Sequence, residues 1–84
     1  MNRTKRIQDL IEKNFNEFSV SVTDDSLAHK GHHNFDGTEE THIIIELKKK
    51  FNLDIKRLEI HKKINTLLSK EFKIGLHALQ IKII

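Results

Sequence analysis

Histidine is concentrated in one stretch of this 84-residue chain. Four of the six histidines lie within the fourteen residues from 29 to 42, and they are His29, His32, His33 and His42. A neutral imidazole binds a metal ion through a ring nitrogen. The chain has no cysteine, so it has no thiolate of its own and no disulfide. A protein of this composition is able to supply histidine ligands to a metal and to take thiolate ligands from a partner.

Apolar spacing predicts a helix and then a pair of strands. Between residues 3 and 18 the apolar side chains recur at helical intervals and form one stripe. Val20 and Val22 alternate with polar residues, which predicts a half-buried strand, and "THIIIELKK" predicts a second one. A loop of about residues 25–39, rich in turn-forming residues, joins them. We therefore expect the two strands to pair in antiparallel fashion.

The second half of the chain predicts one long helix and a last strand. Apolar residues recur at helical intervals over residues 57–73, and Gly75 is placed to end that helix in a left-handed conformation. The alternation in "LHALQIKII" predicts a third strand, which a helical crossover can bring parallel to its neighbour. Residues 1–84 are thus expected to form one α+β domain. Its order is helix, strand, strand, helix, strand, with a three-stranded mixed sheet covered on one face by helices.

The composition excludes several classes of protein. A net charge of +3, with 37% hydrophobic and 32% charged residues, is typical of a globular domain. The N-terminal stretch interleaves charged and apolar residues, so we expect neither a signal peptide nor a membrane span, and a cytoplasmic location. Asp24 and Asp25 are adjacent, so on a strand they point to opposite faces and cannot act as an acid–base pair. We therefore expect no enzymatic activity.

The chain resembles the BolA family. The motifs "DDSLAHKGH", "ETH", "IHKK" and "GLHAL" have the order and spacing of that family, and the resemblance extends from Ile7 to Ile81. It implies a KH-like fold, a monothiol glutaredoxin as partner, and a 2Fe–2S cluster that the two proteins share. The glutaredoxin cysteine and glutathione would supply the remaining cluster ligands. The implied function is that of an accessory factor in iron–sulfur cluster assembly or trafficking.

The resemblance also implies which residues bind the cluster. His77, in "GLHAL", corresponds to one ligand, and the second ligand lies in the loop between the first two strands. We prefer His32 there, because it follows flexible Gly31 and can reorient without disturbing a strand. His29 is the next candidate, while His33 and His42 complete the set. The isolated protein is expected to hold no cofactor and to be a monomer or a weak homodimer.

Two other functions compete with cluster sharing. The loop histidines could form a zinc or nickel site on their own, although structural zinc usually has four preset ligands that include cysteine. Nucleic-acid binding is the stronger alternative, because residues 48–63 carry seven Lys and Arg against two acidic residues. Its candidate contacts, which could equally meet a protein partner, are Arg57, His61, Lys62 and Lys63. Against it, the chain has neither a GxxG loop nor a tyrosine or tryptophan for base stacking.

Overall fold

The computed structural model describes residues 2–25 and 41–84. In these ranges the elements follow the predicted order, with one extra break in the second helix. They are α1 (Arg3–Asn14), β1 (Phe18–Asp24), β2 (His42–Lys49), α2 (Arg57–Leu67), α3 (Ser69–Lys73) and β3 (Ala78–Ile83). The predicted α+β class is confirmed. No helix in the described part of the chain is both long and apolar enough to cross a membrane.

The sheet has the predicted mixed pairing, with β2 in the centre. Strand order is β1-β2-β3; β1 pairs with β2 in antiparallel fashion, and β3 runs parallel to β2. Ile45 of β2 lies between Val22 of β1 and Ile81 of β3 in this register. In this register the apolar residues of all three strands lie on the same face of the sheet, and the helices cover that face.

The core lies between that face and the helices. Seven side chains are less than 2% exposed, and they are Ile7, Ile11, Ile43, Ile45, Leu47, Ile64 and Leu68. Full burial of each such side chain stabilises the fold by about 1.5–3 kcal/mol. The opposite face of the sheet is largely polar, since Ser19, Ser21, Gln80 and Lys82 are exposed there. This face carries no described helix.

The second helix is interrupted, which the apolar pattern did not predict. Leu68 separates α2 from α3 with φ −97° and ψ 9°, values outside the regular helical range. Its N–H still donates to the Ile64 carbonyl at 2.9 Å, and its side chain is fully buried. Leu68 thus stays in the core at the break between the two helices. Phe72, an apolar residue of the helix predicted over residues 57–73, is 37% exposed.

A glutamine of α1 caps the outer edge of β1. The Gln8 amide nitrogen donates to the Val20 carbonyl at 2.8 Å, and the Gln8 amide oxygen accepts from the Val22 N–H at 3.0 Å. An edge strand otherwise presents unpaired backbone groups that can pair with another chain. The Gln8 side chain therefore occupies the place of a neighbouring strand at this edge.

Replacing Gln8 by alanine is expected to lower the free energy of unfolding by about 1 kcal/mol. Two hydrogen bonds are lost, but water can reach the freed backbone groups at the edge. Urea unfolding followed by circular dichroism measures the change. Glu12→Ala is the matched control, because Glu12 is exposed on the same helix, and it should change the free energy by less than about 0.5 kcal/mol. If Gln8→Ala and Glu12→Ala lower the free energy of unfolding equally, the Gln8 cap does not stabilise the fold.

Candidate functional site

His77 is turned to the surface by the residues that precede it. Leu76 is only 3% exposed and its N–H donates to the Glu71 carbonyl at 2.9 Å, so it anchors the chain in the core. Gly75 has φ +128°, a conformation that L side chains rarely adopt, and it allows the sharp change of direction after α3. His77 follows Leu76 and is exposed. A core residue and a turn thus present this imidazole to solvent.

His42 lies beside His77, although 34 residues separate them in the sequence. Parallel pairing places His42, the first residue of β2, opposite Ala78, the first residue of β3. The N–H groups of His77 and Ala78 both donate to the Thr41 carbonyl, at 2.8 and 3.0 Å. The two imidazole rings are tilted by 54° with their centroids 5.4 Å apart. The parallel register therefore creates a histidine pair at one end of the sheet.

The His42 ring is held by its neighbour. The Thr41 hydroxyl lies 2.9 Å from His42 Nδ1, at hydrogen-bonding distance. The backbone of His42 is also tied to the end of β1, because its carbonyl accepts from the Asp25 N–H at 2.8 Å. A hydrogen bond at one ring nitrogen orients a histidine ligand. The Thr41 hydroxyl therefore helps to set the orientation of the His42 ring.

The spacing of the two rings suits a single metal ion. Two imidazoles on one tetrahedral ion, each with a metal–nitrogen bond of about 2.0–2.1 Å, have ring centroids about 5 Å apart. The described residues contain no group of three or more histidine and carboxylate side chains that could hold a metal together. In Rieske centres two histidines ligate one iron of a 2Fe–2S cluster. His42 and His77 together supply two imidazoles, which is the number that one iron of such a cluster binds.

A buried carboxylate supports the turn below His77. Glu71 accepts from Arg3 Nε at 3.0 Å and from Arg6 Nε and a terminal Arg6 nitrogen at 2.9 and 3.0 Å. The hydrogen bond from Arg6, with those of Arg3 and the charges of both, lowers the pKa of Glu71 despite its burial. Arg3 also donates to the Ile74 carbonyl at 2.8 Å. This cluster joins the first turns of α1 to the end of α3, next to Gly75.

Sequence reasoning missed Glu71, and a signal for it was present. Glu71 follows Ile64 by seven positions and Leu68 by three, so it falls on the apolar stripe of the second helix. A charged residue on a buried stripe needs a partner of opposite charge. Arg3 and Arg6, three residues apart on the first helix, are suitable partners. Only the packing of α1 against α3 shows that they meet.

The other predicted ligands lie partly outside the described residues. His29, His32 and His33 fall in the range 26–40, of which the structure gives no description. The preferred second ligand, His32, therefore stays a prediction. His61 lies on α2 and is half-buried, and its carbonyl accepts from the Asn65 amide at 2.8 Å.

The basic residues lie at the other end of the sheet from the histidine pair. Lys48, Lys49 and Lys50 are exposed at the end of β2. Seven residue steps separate His42 from Lys49, which in a strand is roughly 23 Å. The histidine pair and the exposed lysines after β2 thus lie at opposite ends of the sheet.

Two of the predicted cationic contacts are engaged within the protein. Lys63 Nζ donates to the Asn14 carbonyl at 3.3 Å and lies 4.9 Å from the centroid of the Phe15 ring. Arg57 donates to the Ile83 carbonyl at 3.3 Å. Lys62 is exposed on α2. Arg57 and Lys63 therefore contribute to packing at the basic end.

Comparisons with known proteins identify relatives over nearly the whole chain. A protein from the cobS 5′ region of Sinorhizobium sp, described as uncharacterized, is 32% identical over 83 residues, which cover 98% of this chain and 89% of the relative. The BolA domain of SufE1 from Arabidopsis thaliana superposes with a TM-score of 0.78 at 31% identity, covering 99% of this chain and 91% of that one. BolA1 from Arabidopsis thaliana gives 0.77 at 29% identity, with 99% and 90% coverage. The BolA-like protein family matches residues 11–84. The resemblance seen in the motifs is confirmed, and the chain belongs to the BolA-like family.

Proposed function

We propose that this protein is an accessory factor in iron–sulfur cluster assembly or trafficking and that it shares a 2Fe–2S cluster with a monothiol glutaredoxin. One observation carries the proposal: exposed His77 lies with its ring centroid 5.4 Å from that of His42. Membership of the BolA-like family supports it. The absence of cysteine from the sequence requires that any thiolate ligand come from the partner.

The cluster is cargo in this proposal, and the protein supplies two imidazoles to it. The glutaredoxin cysteine and glutathione hold one iron, while His77 and a second histidine ligate the other. The geometry supports His42 as a candidate for the second ligand besides His32, because the His42 ring lies beside His77 and is oriented by Thr41. Such a complex forms in the cytoplasm and weakens on acidification, because imidazolium cannot coordinate a metal.

A titration with cluster-loaded glutaredoxin tests the proposal. Addition of this protein should change the visible circular dichroism of the cluster and saturate at one protein per cluster, because its two imidazoles replace the ligands of one iron, which are released. Size-exclusion chromatography at saturation should show a single heterodimer carrying the visible absorbance. Glutaredoxin without cluster is the control and should bind more weakly. A visible spectrum that does not change at any ratio contradicts the proposal.

Nucleic-acid binding has less support as an alternative. It rests on the exposed lysines at the end of β2 and on Lys62. Two of its expected contacts, Arg57 and Lys63, are engaged with backbone carbonyls of the protein itself. The remaining positive charges are typical of a solvated surface.

A further inference from the structure

The two rings of the histidine pair are held in different ways. The Thr41 hydroxyl lies at hydrogen-bonding distance from the His42 ring. Within residues 2–25 and 41–84, the His77 ring contacts that of His42 and takes part in no hydrogen bond. The His77 side chain is also exposed, so it has few neighbours that could hold it. The position of this ring therefore depends on the backbone that carries it.

That backbone is joined to the fold on both sides. On one side, the His77 N–H donates to the Thr41 carbonyl at 2.8 Å, which ties it to β2. On the other side, His77 follows the turn at Ile74 and Gly75, where α3 ends. Glycine adopts many backbone conformations at little cost. A turn that contains Gly75, with its φ of +128°, is therefore held in one conformation by contacts from elsewhere in the fold.

Arg3 makes such contacts from the first turn of α1. Its terminal nitrogen Nη2 donates to the Ile74 carbonyl at 2.8 Å. This carbonyl lies at the end of α3, where helix carbonyls have no partner within the helix. The guanidinium also lies directly against Gly75, since a Cβ on that residue would be only 2.9 Å from Arg3 Nη2. Arg3 therefore restrains both residues of the turn.

Glu71 keeps the Arg3 side chain in this place. Its carboxylate accepts from Arg3 Nε at 3.0 Å, and its backbone carbonyl accepts from the Leu76 N–H at 2.9 Å. The side chains of Arg3 and Glu71 are only 12% and 11% exposed. A guanidinium presents its donors in a rigid fork and can bridge a carboxylate and a carbonyl, whereas an ammonium is a point charge on a flexible chain. Arginine therefore suits this position better than lysine does.

We propose that Arg3 is a positioning residue for His77: by holding the turn at Ile74 and Gly75, it keeps the His77 ring in its place beside His42. Arg3 acts through the backbone of residues 74–77 and is not itself a ligand. Its role in cluster binding rests on the proposed function, whereas the position of the ring is a property of this protein alone. Loss of groups that orient a ligand lowers metal affinity about 10- to 100-fold.

Nuclear Overhauser effects between the ring protons of His42 and His77 measure that position on the apo-protein. The ring centroids are 5.4 Å apart, so the wild type should show the effect. Arg3→Ala should lose most of it, and so should Arg3→Lys, which keeps the charge beside Glu71 but lacks the fork. Phe15→Leu is the control, because Phe15 is buried at the other end of α1, about 18 Å from Arg3 along the helix axis. It should lower the urea midpoint and leave the ring effect unchanged.

The affinity for cluster-loaded glutaredoxin, from the visible circular dichroism titration, measures the consequence for ligation. Arg3→Ala should lower it by about 10-fold or more, and Phe15→Leu should not change it. An unchanged ring effect in both Arg3 variants overturns the positioning role. Equal losses of affinity in Arg3→Ala and Phe15→Leu also overturn it, because stability alone then explains the loss. If the wild type leaves the cluster spectrum unchanged, the proposed function fails, and the ring effect on the apo-protein still decides whether Arg3 positions His77.

Discussion

Replacing Glu71 by alanine is expected to lower the free energy of unfolding by about 3 kcal/mol. The side chain is 11% exposed and accepts hydrogen bonds from both Arg3 and Arg6. Its removal leaves the guanidinium of Arg3, itself 12% exposed, without its carboxylate partner, and breaking a buried ion pair from one side costs several kcal/mol. Urea unfolding measures the loss. Glu59→Ala, at an exposed position on α2, is the control and should change the free energy by less than about 0.5 kcal/mol.

The pH dependence of the free energy of unfolding that is lost on replacing Glu71 shows whether the loss is electrostatic. The pKa of Glu71 is lowered from its ordinary value of 4.5, chiefly by the hydrogen bond from Arg6, so the ionised form is favoured in the folded state. The stabilisation is therefore present above about pH 5 and is lost as the pH falls below 4.5 through the lowered pKa. The difference between wild type and Glu71→Gln should shrink over that acidic range. A difference that stays constant down to about pH 3 would show that packing alone is involved.

Replacing His77 by alanine is expected to abolish cluster sharing with glutaredoxin. The substitution removes one of two imidazoles from the proposed iron ligand set. Loss of groups that merely orient a ligand already lowers metal affinity about 10- to 100-fold, so loss of the ligand itself should lower it at least as much. The visible circular dichroism titration gives the affinity for cluster-loaded glutaredoxin. His77 is exposed, so its removal should leave the unfolding free energy almost unchanged.

Matched variants then locate the second ligand. His42→Ala should reduce the affinity as strongly as His77→Ala, while Glu12→Ala, at an exposed position on α1, should have no effect. His32→Ala and His29→Ala test the two candidate ligands in the interstrand loop. If His32→Ala lowers the affinity for cluster-loaded glutaredoxin and His42→Ala does not, the second ligand is His32. That result would contradict the role inferred for His42. Retention of the cluster signal in His77→Ala would contradict the histidine pair altogether.

Local sequence patterns were sufficient for the elements of the fold, apart from the break between α2 and α3. A period of 3.6 residues located the helices, and alternation located β1, β2 and β3 to within one or two residues of their bounds. Gly75 was correctly placed at a helix end with positive φ. His77 follows that turn by two positions, and it is exposed. These properties depend on neighbours within a few positions, so a single sequence contains them.

The tertiary structure alone decided which distant residues meet. His42 was one of four candidates from the sequence, and the parallel register of β2 and β3 shows that it lies beside His77. Glu71 accepts hydrogen bonds from Arg3 and Arg6 because the start of α1 lies next to α3. Register and helix packing are set by the burial of the whole core, to which many separated residues contribute. Local spacing therefore predicts which side chains can do chemistry, whereas the shared core determines which of them act together.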